Sequence, residues 1–165
     1  MKYFDCIIAT FFGAGFFPKA PGTFASIIAF LPIIFIPHSY KSIILLLGIL
    51  LILLLSPPVI KRVEQKYGDD PSIVVIDEVL GTWIVFCSPI IPTTFLSAII
   101  GLSLFRLFDI SKPWIIQKIN KKKGALYVLL DDLVAGLFAG IILNLFYFIY
   151  RIVFFVYFLE KYSIY

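Results

Sequence analysis

Asp131 and Asp132 stand side by side in a run, Leu126 to Gly140, that carries no other charge. A lone carboxylate in hydrocarbon costs roughly 2.5–3.5 kcal/mol on insertion scales. A membrane segment carries an adjacent pair where the acids face a cavity, a partner or a metal. Asp132, Gly136 and Gly140 fall at i, i+4 and i+8, on one helical face. A second pair, Asp77 and Glu78, repeats the arrangement, with Gly81 four residues after Asp77. Glycines on such a face let another backbone approach closely. Hard divalent cations such as Mg²⁺ take oxygen ligands, often one or two carboxylates together with substrate phosphate. Taken singly, each pair also suits the positive end of a helix with no metal at all. Two pairs, joined by Asp109, favour a metal site.

The cations fit the same chemistry. Arg106, Asp109 and Lys112 at i, i+3 and i+6 lie along one helical face before Pro113 ends the helix. A phosphate ester needs such cations, and arginine grips it bidentately. The plainer alternative is a weak Arg106–Asp109 surface pair. The stretch GAGFFPKAPGT adds Pro21-Gly22-Thr23 before an apolar run, with Lys19 beside it. Free N–H groups at a helix start bind phosphate. No strand precedes Gly13-x-Gly15, so a dinucleotide site is excluded there.

Absences narrow the reaction. His38 is the one histidine, which removes two-histidine phosphatases and Ser-His-Asp hydrolysis. A C-x5-R loop needs arginine six residues after cysteine, where Phe12 and Thr93 stand. Neither an aspartyl-phosphate DxDx[TV] motif nor the spaced acid motif of lipid-forming phosphotransferases is present. Metal-assisted phosphate hydrolysis survives the elimination.

The elements that must position these groups are membrane elements. The chain has 165 residues, 61% of them hydrophobic, with mean hydropathy +1.04, against roughly 45–50% apolar in soluble domains. The length suits a single domain over residues 1–165. An all-α bundle of about five transmembrane passes follows, preceded by a short interfacial or re-entrant helix over Lys2–Phe17. Pro18–Gly22 breaks that helix, and Thr23 is the expected N-cap of a pass over Phe24–Pro37, kinked at Pro32. A short loop, His38–Lys41, leads to Ser42–Ser56. Pro57–Ile76 reads as a polar loop. Val79–Ile91 and Phe95–Phe108 are the next passes, turning at Pro89, Pro92, Thr93 and Thr94. Asp109–Lys123 is a second polar loop, and Gly124 to about Tyr150 the last pass. Pattern leaves the course of Arg151–Tyr165 open.

Net charge is +4, but placement matters more than sign. Lys61, Arg62 and Lys66, then Arg106, Lys112, Lys118, Lys121, Lys122 and Lys123, mark loops on the cytoplasmic side. The N-terminus is then inside and His38–Lys41 outside. Every acidic cluster, and the PKAPGT turn, falls at a cytoplasmic helix end. Membrane lipids are expected partners, and nothing points to nucleic acid. Cys6 and Cys87 read as reduced core residues. Only Lys2 precedes Asp5, so no cleavable leader is expected.

GAGFFPKAPGTFAS, VIDEVLG, FRLFDISKPW and LLDDLVAG resemble, in order, the motifs of the phosphatidylglycerophosphatase A family. The resemblance implies a Mg²⁺-dependent lipid phosphatase of the bacterial cytoplasmic membrane, active site toward the cytoplasm, converting phosphatidylglycerophosphate to phosphatidylglycerol. Carried over by motif, the functional positions are Lys19, Pro21, Gly22, Thr23, Asp77, Glu78, Arg106, Asp109, Lys112, Asp131 and Asp132. On this reading Asp77, Glu78, Asp131 and Asp132 hold Mg²⁺. Lys19, Gly22, Thr23, Arg106 and Lys112 bind substrate. One carboxylate, Asp109 among them, activates water or attacks phosphorus; the residues do not distinguish these, nor do they set the oligomeric state. Ala25, Ile115, Tyr127 and Val128 depart from the family pattern, all beside the charged positions. The rival readings are a small cation transporter or channel using the same acids, and an assembly protein using its glycine face.

Overall fold

The computed structural model describes residues 3–122 and 124–162, with side chains as far as Phe158; the expectations that involve Lys2, Lys123 and residues 163–165 fall outside it. Among the described residues the chain is helical and forms no strand. The helices are α1 (Tyr3–Ala9), α2 (Pro21–Phe30), α3 (His38–Tyr67), α4 (Ile76–Phe86), α5 (Phe95–Ser111), α6 (Ile115–Asn120) and α7 (Ala125–Tyr162). Short 3₁₀ turns cover Ala14–Phe16 and Leu31–Phe35, the second tightening the chain at Pro32.

The centre of the molecule is α4. Val79, Leu80, Val85 and Phe86 are fully buried, and α4 packs against α2, α3, α5 and α7. Its closest neighbour is α7. A Cβ on Gly136 would lie 2.6 Å from the Gly81 carbonyl oxygen, and one on Gly140 3.4 Å from Val85 Cα. The expected glycine contact between the two acid-bearing helices is therefore present, and it holds their backbones nearly in touch.

Several boundaries differ from the sequence expectation. The N-terminal helix ends at Ala9, short of Phe17, the Phe24–Pro37 pass is an α-helix only to Phe30, and the expected His38–Lys41 loop is the first turn of α3. The chain does not loop out at Pro57. Helix α3 runs through Pro57 and Pro58 to Tyr67, because Val59, Ile60 and Val63 are buried against Val74, Val79 and Leu80; tertiary packing outweighs the lost backbone donors. The polar connection shrinks to residues 68–75. Thr23 is not the N-cap of α2. The helix begins at Pro21, whose fixed φ suits the first turn, after Ala20 in a left-handed conformation, φ 50°. Asp109 lies inside α5 rather than in a loop, and much of the expected loop is α6. Beyond Tyr150, α7 continues unbroken to Tyr162.

Two helices, His38–Tyr67 and Ala125–Phe158, are long and apolar enough to cross a membrane. At 11 residues, α4 is only roughly 16 Å long, short of a bilayer core of about 30 Å.

Away from the acids, α3, α5, α7 and the connection from α4 to α5 carry a second polar cluster. Lys41 is not a loop residue as expected: it lies in α3, fully buried, and its ammonium donates to the Ile91 carbonyl. Ser88 Oγ donates to Asn144 Oδ1, and Asn144 Nδ2 donates to the Gly140 carbonyl at 2.8 Å. Ser97 Oγ lies 2.7 Å from both Tyr147 Oη and Thr94 Oγ1.

Candidate active site

Four connections bring the charged groups together. Asp77 and Glu78 occupy the first turn of α4, where no side chain caps the helix; the positive helix end favours their charge. Arg106 and Asp109 lie in the last turns of α5. Lys112 caps α5 in a left-handed conformation, φ 42°, which turns its side chain back toward α7. Asp131 and Asp132 follow from the second turn of α7, fixed relative to α4 by the Gly81–Gly136 contact.

The result is a polar cavity of about 310 Å³ lined by Ala20, Pro21, Gly22, Asp70, Ser72, Val74, Asp77, Glu78, Arg106, Asp109, Lys112, Val128, Asp131 and Asp132. Six carboxylates, those of Asp70, Asp77, Glu78, Asp109, Asp131 and Asp132, face two cations, Arg106 and Lys112. Such an excess of like charge in a partly buried space favours a bound cation.

Carboxylate oxygens of Asp77, Glu78 and Asp132 all lie within 4.8 Å of one another. Asp77 Oδ1 and Glu78 Oε2 are buried without a hydrogen-bond partner. Buried polar atoms are rarely left so, and the donor set is all oxygen; both facts fit a hard divalent ion. Gly22 presses against the Glu78 carboxylate, so closely that any Cβ there would collide with Glu78 Oε1. The start of α2 thus fixes that side chain.

Asp131 stands apart from this trio. Its Oδ2 accepts from Lys112 Nζ at 2.7 Å and from Asn120 Nδ2 at 2.9 Å, and its Oδ1 accepts from the Asp132 N–H at 3.2 Å. Burial opposes the Lys112 charge, but the hydrogen bond and charge of Asp131 outweigh it and hold its pKa above the ordinary value. On the other side, Arg106 Nη1 lies 2.7 Å from Asp109 Oδ2 and 3.8 Å from Glu78 Oε1. Each cation is therefore gripped by one carboxylate at the rim of the trio.

Of the residues expected from sequence, Gly22, Asp77, Glu78, Arg106, Asp109, Lys112, Asp131 and Asp132 line the cavity. Lys19 is exposed and outside it. Thr23 lines a neighbouring groove instead. Asp70 and Asn120 were not anticipated. Asp70 carried a signal, adjacent acids between Gly68 and Pro71 in a polar stretch. Asn120 carried none; a single amide in a basic loop looks like any solvated residue.

The family described as phosphatidylglycerophosphatase A matches residues 7–147. An Escherichia coli protein named phosphatidylglycerophosphatase A is 32% identical over 145 residues, covering 83% of this chain and 80% of that protein. A Bacteroides thetaiotaomicron protein, provisionally assigned as a phosphatidylinositol-3-phosphatase, is 33% identical over 149 residues, 86% of this chain and 92% of its own. An uncharacterised Methanocaldococcus jannaschii protein shares 37% over 75 residues, 46% of this chain and 50% of its own. No solved structure matches the chain.

Proposed function

The chain belongs to the phosphatidylglycerophosphatase A family, and from that premise we propose that it hydrolyses phosphatidylglycerophosphate to phosphatidylglycerol and inorganic phosphate. The observation that carries this reading is the convergence of Asp77, Glu78 and Asp132 with Arg106 and Lys112 in one cavity. Asp77, Glu78 and Asp132 would hold Mg²⁺, which when bound supplies Lewis acidity toward the phosphoryl oxygens. Arg106 and Lys112 neutralise charge on the equatorial oxygens. Asp131, expected as a fourth ligand, serves instead to orient Lys112. Asp109 orients Arg106 and accepts the proton of the attacking water. Water oxygen bonds to phosphorus and keeps one proton, the ester bond to glycerol breaks, and the glycerol oxygen leaves as the alcohol with the proton that Asp109 took from the water.

The protein acts as a single domain in the cytoplasmic membrane with its cavity toward the cytoplasm. The basic residues Lys61, Arg62, Lys118, Lys121 and Lys122 beside the acid-bearing ends support that orientation. The five-pass arrangement requires α2, α4 and α5 to be embedded beside α3 and α7. Cation transport lacks support: between the acids and the far polar cluster the interior is packed by Leu80, Phe86, Leu129, Ala139 and Leu143, and the charge buried in that far cluster is the Lys41 ammonium, which repels a cation.

A second substrate reading comes from the Bacteroides relative, a phosphoinositide 3-phosphate. The test is phosphate release by purified protein in lipid nanodiscs, with and without Mg²⁺, from both phospholipids. Mg²⁺-dependent release from phosphatidylglycerophosphate is expected. Release only from the phosphoinositide would reassign the substrate; release from neither would sink the enzyme.

A further inference from the structure

A second cavity shares a wall with the acid site. It runs between α2 and α5, has a volume of about 520 Å³, and shares Arg106 with the polar cavity. Its lining changes character along its length. Thr23, Ser103 and Arg106 lie at the end near the acids; Phe30, Leu31, Phe95 and Ala98 lie at the other. The floor is closed by Ser26, Phe30 and Ala98, which are 0%, 4% and 8% exposed. Ser26 offers no hydroxyl donor to the groove, because its Oγ donates to the Gly22 carbonyl at 2.9 Å. The walls are open: Leu31, Phe95 and Ile99 are exposed. From Phe95 to Arg106 the groove follows α5 for roughly 16 Å at 1.5 Å per residue, about half of a ~30 Å hydrocarbon core. That is the depth of one leaflet.

We propose that the α2–α5 groove holds one acyl chain of the phospholipid substrate while its phosphate lies among the carboxylates, with Arg106 at the junction. This rests on the phosphatase reading above and adds the substrate's path. Phosphatidylglycerophosphate runs from its terminal phosphate through the head-group glycerol, an anionic phosphodiester and the glycerol esters to hydrocarbon, the same polar-to-apolar order as the two cavities. The acid cavity meets the terminal phosphate, Arg106 stands where the two cavities share a wall, the Thr23 and Ser103 hydroxyls meet the glycerol and ester groups, and Ile27, Ile99 and Leu102 meet the hydrocarbon. A second apolar groove, between α1 and α3, is lined by Ile7, Phe11, Leu51, Leu55 and others, and shares no lining residue with the acid cavity. It serves as the internal control.

The experiment has two arms. In the first, phosphatidylglycerophosphate bearing a mid-chain diazirine is photolysed with wild-type protein in nanodiscs and the adducts are mapped. They are expected on Ile27, Ile99 or Leu102; adducts on Leu51 or Leu55, or spread evenly over both grooves, overturn the proposal. In the second, kcat/KM is measured for acyl chains of six and sixteen carbons. Ile99→Trp and Leu102→Trp are expected to lower the long-to-short ratio at least tenfold, while Leu51→Trp leaves it unchanged. Groove adducts with an unaltered ratio mean a resident structural lipid, and the proposal fails. If the tryptophan variants do not fold, Ile99→Ala and Leu102→Ala take their place in the chain-length measurement, and an unaltered ratio in both overturns the proposal. No phosphate release with adducts in the groove removes the phosphatase reading and keeps the lipid groove; release with adducts elsewhere does the reverse.

Discussion

The molecule buries two polar clusters, and they are built on opposite rules. Beyond the C-terminal end of α4 and midway along α7, Lys41 has the Ile91 carbonyl, Ser88 has Asn144, and Ser97 has Tyr147. The Ser42 hydroxyl is without a partner there, but it is neutral. Around Asp77 and Asp132, roughly 18 Å away along α7 at 1.5 Å per residue, carboxylates face carboxylates and buried oxygens lack donors. Satisfied polar groups stabilise a fold. Unsatisfied like charges oppose it, and they persist where a ligand completes them. Helix α7 carries members of both, so the difference lies in the side chains that meet it at each level.

The largest test removes an unsatisfied acid. Asp77→Asn and Asp132→Asn are expected to lower phosphate release by about a thousandfold or more. Without divalent ions their melting temperatures should equal or exceed the wild type, since repulsion is relieved. A loss under tenfold, or a clear drop in stability, would make this cluster like the other.

Next is the contact that joins the acid-bearing helices. Gly136→Leu should abolish activity. Gly136→Ala should also cost about 1–3 kcal/mol in detergent unfolding, because its Cβ meets the Gly81 carbonyl oxygen at 2.6 Å. Activity of Gly136→Ala should recover in part at raised Mg²⁺. Full activity at ordinary Mg²⁺ would detach the glycine contact from the site.

A smaller effect of the opposite kind is expected from Asn144→Leu. Leaving the Ser88 O–H without its acceptor, while its Oγ keeps the Ile90 N–H at 3.2 Å, should cost about 1 kcal/mol, with kcat/KM within about twofold of wild type. A collapse of kcat/KM in stable protein would give the far cluster a catalytic role.

The smallest effect is a pH limb. The folded pKa of Lys112 is raised by Asp131. Its contribution to stability is therefore complete below the unfolded lysine pKa and is lost as pH rises through the folded one. Melting temperatures between about pH 9 and pH 12 should fall less steeply in Lys112→Met than in wild type. Equal slopes would mean that the Lys112–Asp131 pair adds nothing to stability.

The acids and their glycines were legible because a spacing of four is a local property of any helix: Asp77–Gly81 and Asp132–Gly136 needed no tertiary knowledge. What depended on distant partners was not. Lys41 reads as a loop cation until Ile91 supplies a carbonyl to its ammonium. Pro57 and Pro58 read as a break until Val59, Ile60 and Val63 find Val79 and Leu80. Hydropathy marks α4 as a buried apolar segment, and Val79, Leu80, Val85 and Phe86 are covered by protein; its 11 residues were not legible as so short, because the apolar run continues past Phe86 into the connection to α5. Thr23 carries a capping residue's chemistry, yet Pro21 starts the helix. Asn120 reaches Asp131 from a connection whose course no periodicity describes.

Ala20, Asp70 and Lys112 line the cavity with φ of 50°, 47° and 42°. None is glycine, and a left-handed backbone costs such residues about 1–2 kcal/mol each. Three separate connections thus hold tension against the same small space. The site is set like a drawn spring: relaxation of any one of these connections would turn a wall residue away. An Ala20→Gly exchange would release that tension locally, and with it the sharpness with which α2 is aimed at Glu78. Thermal robustness and catalytic aim pull in different directions here, and a search for hardier variants of this protein would first weaken the cavity's rim.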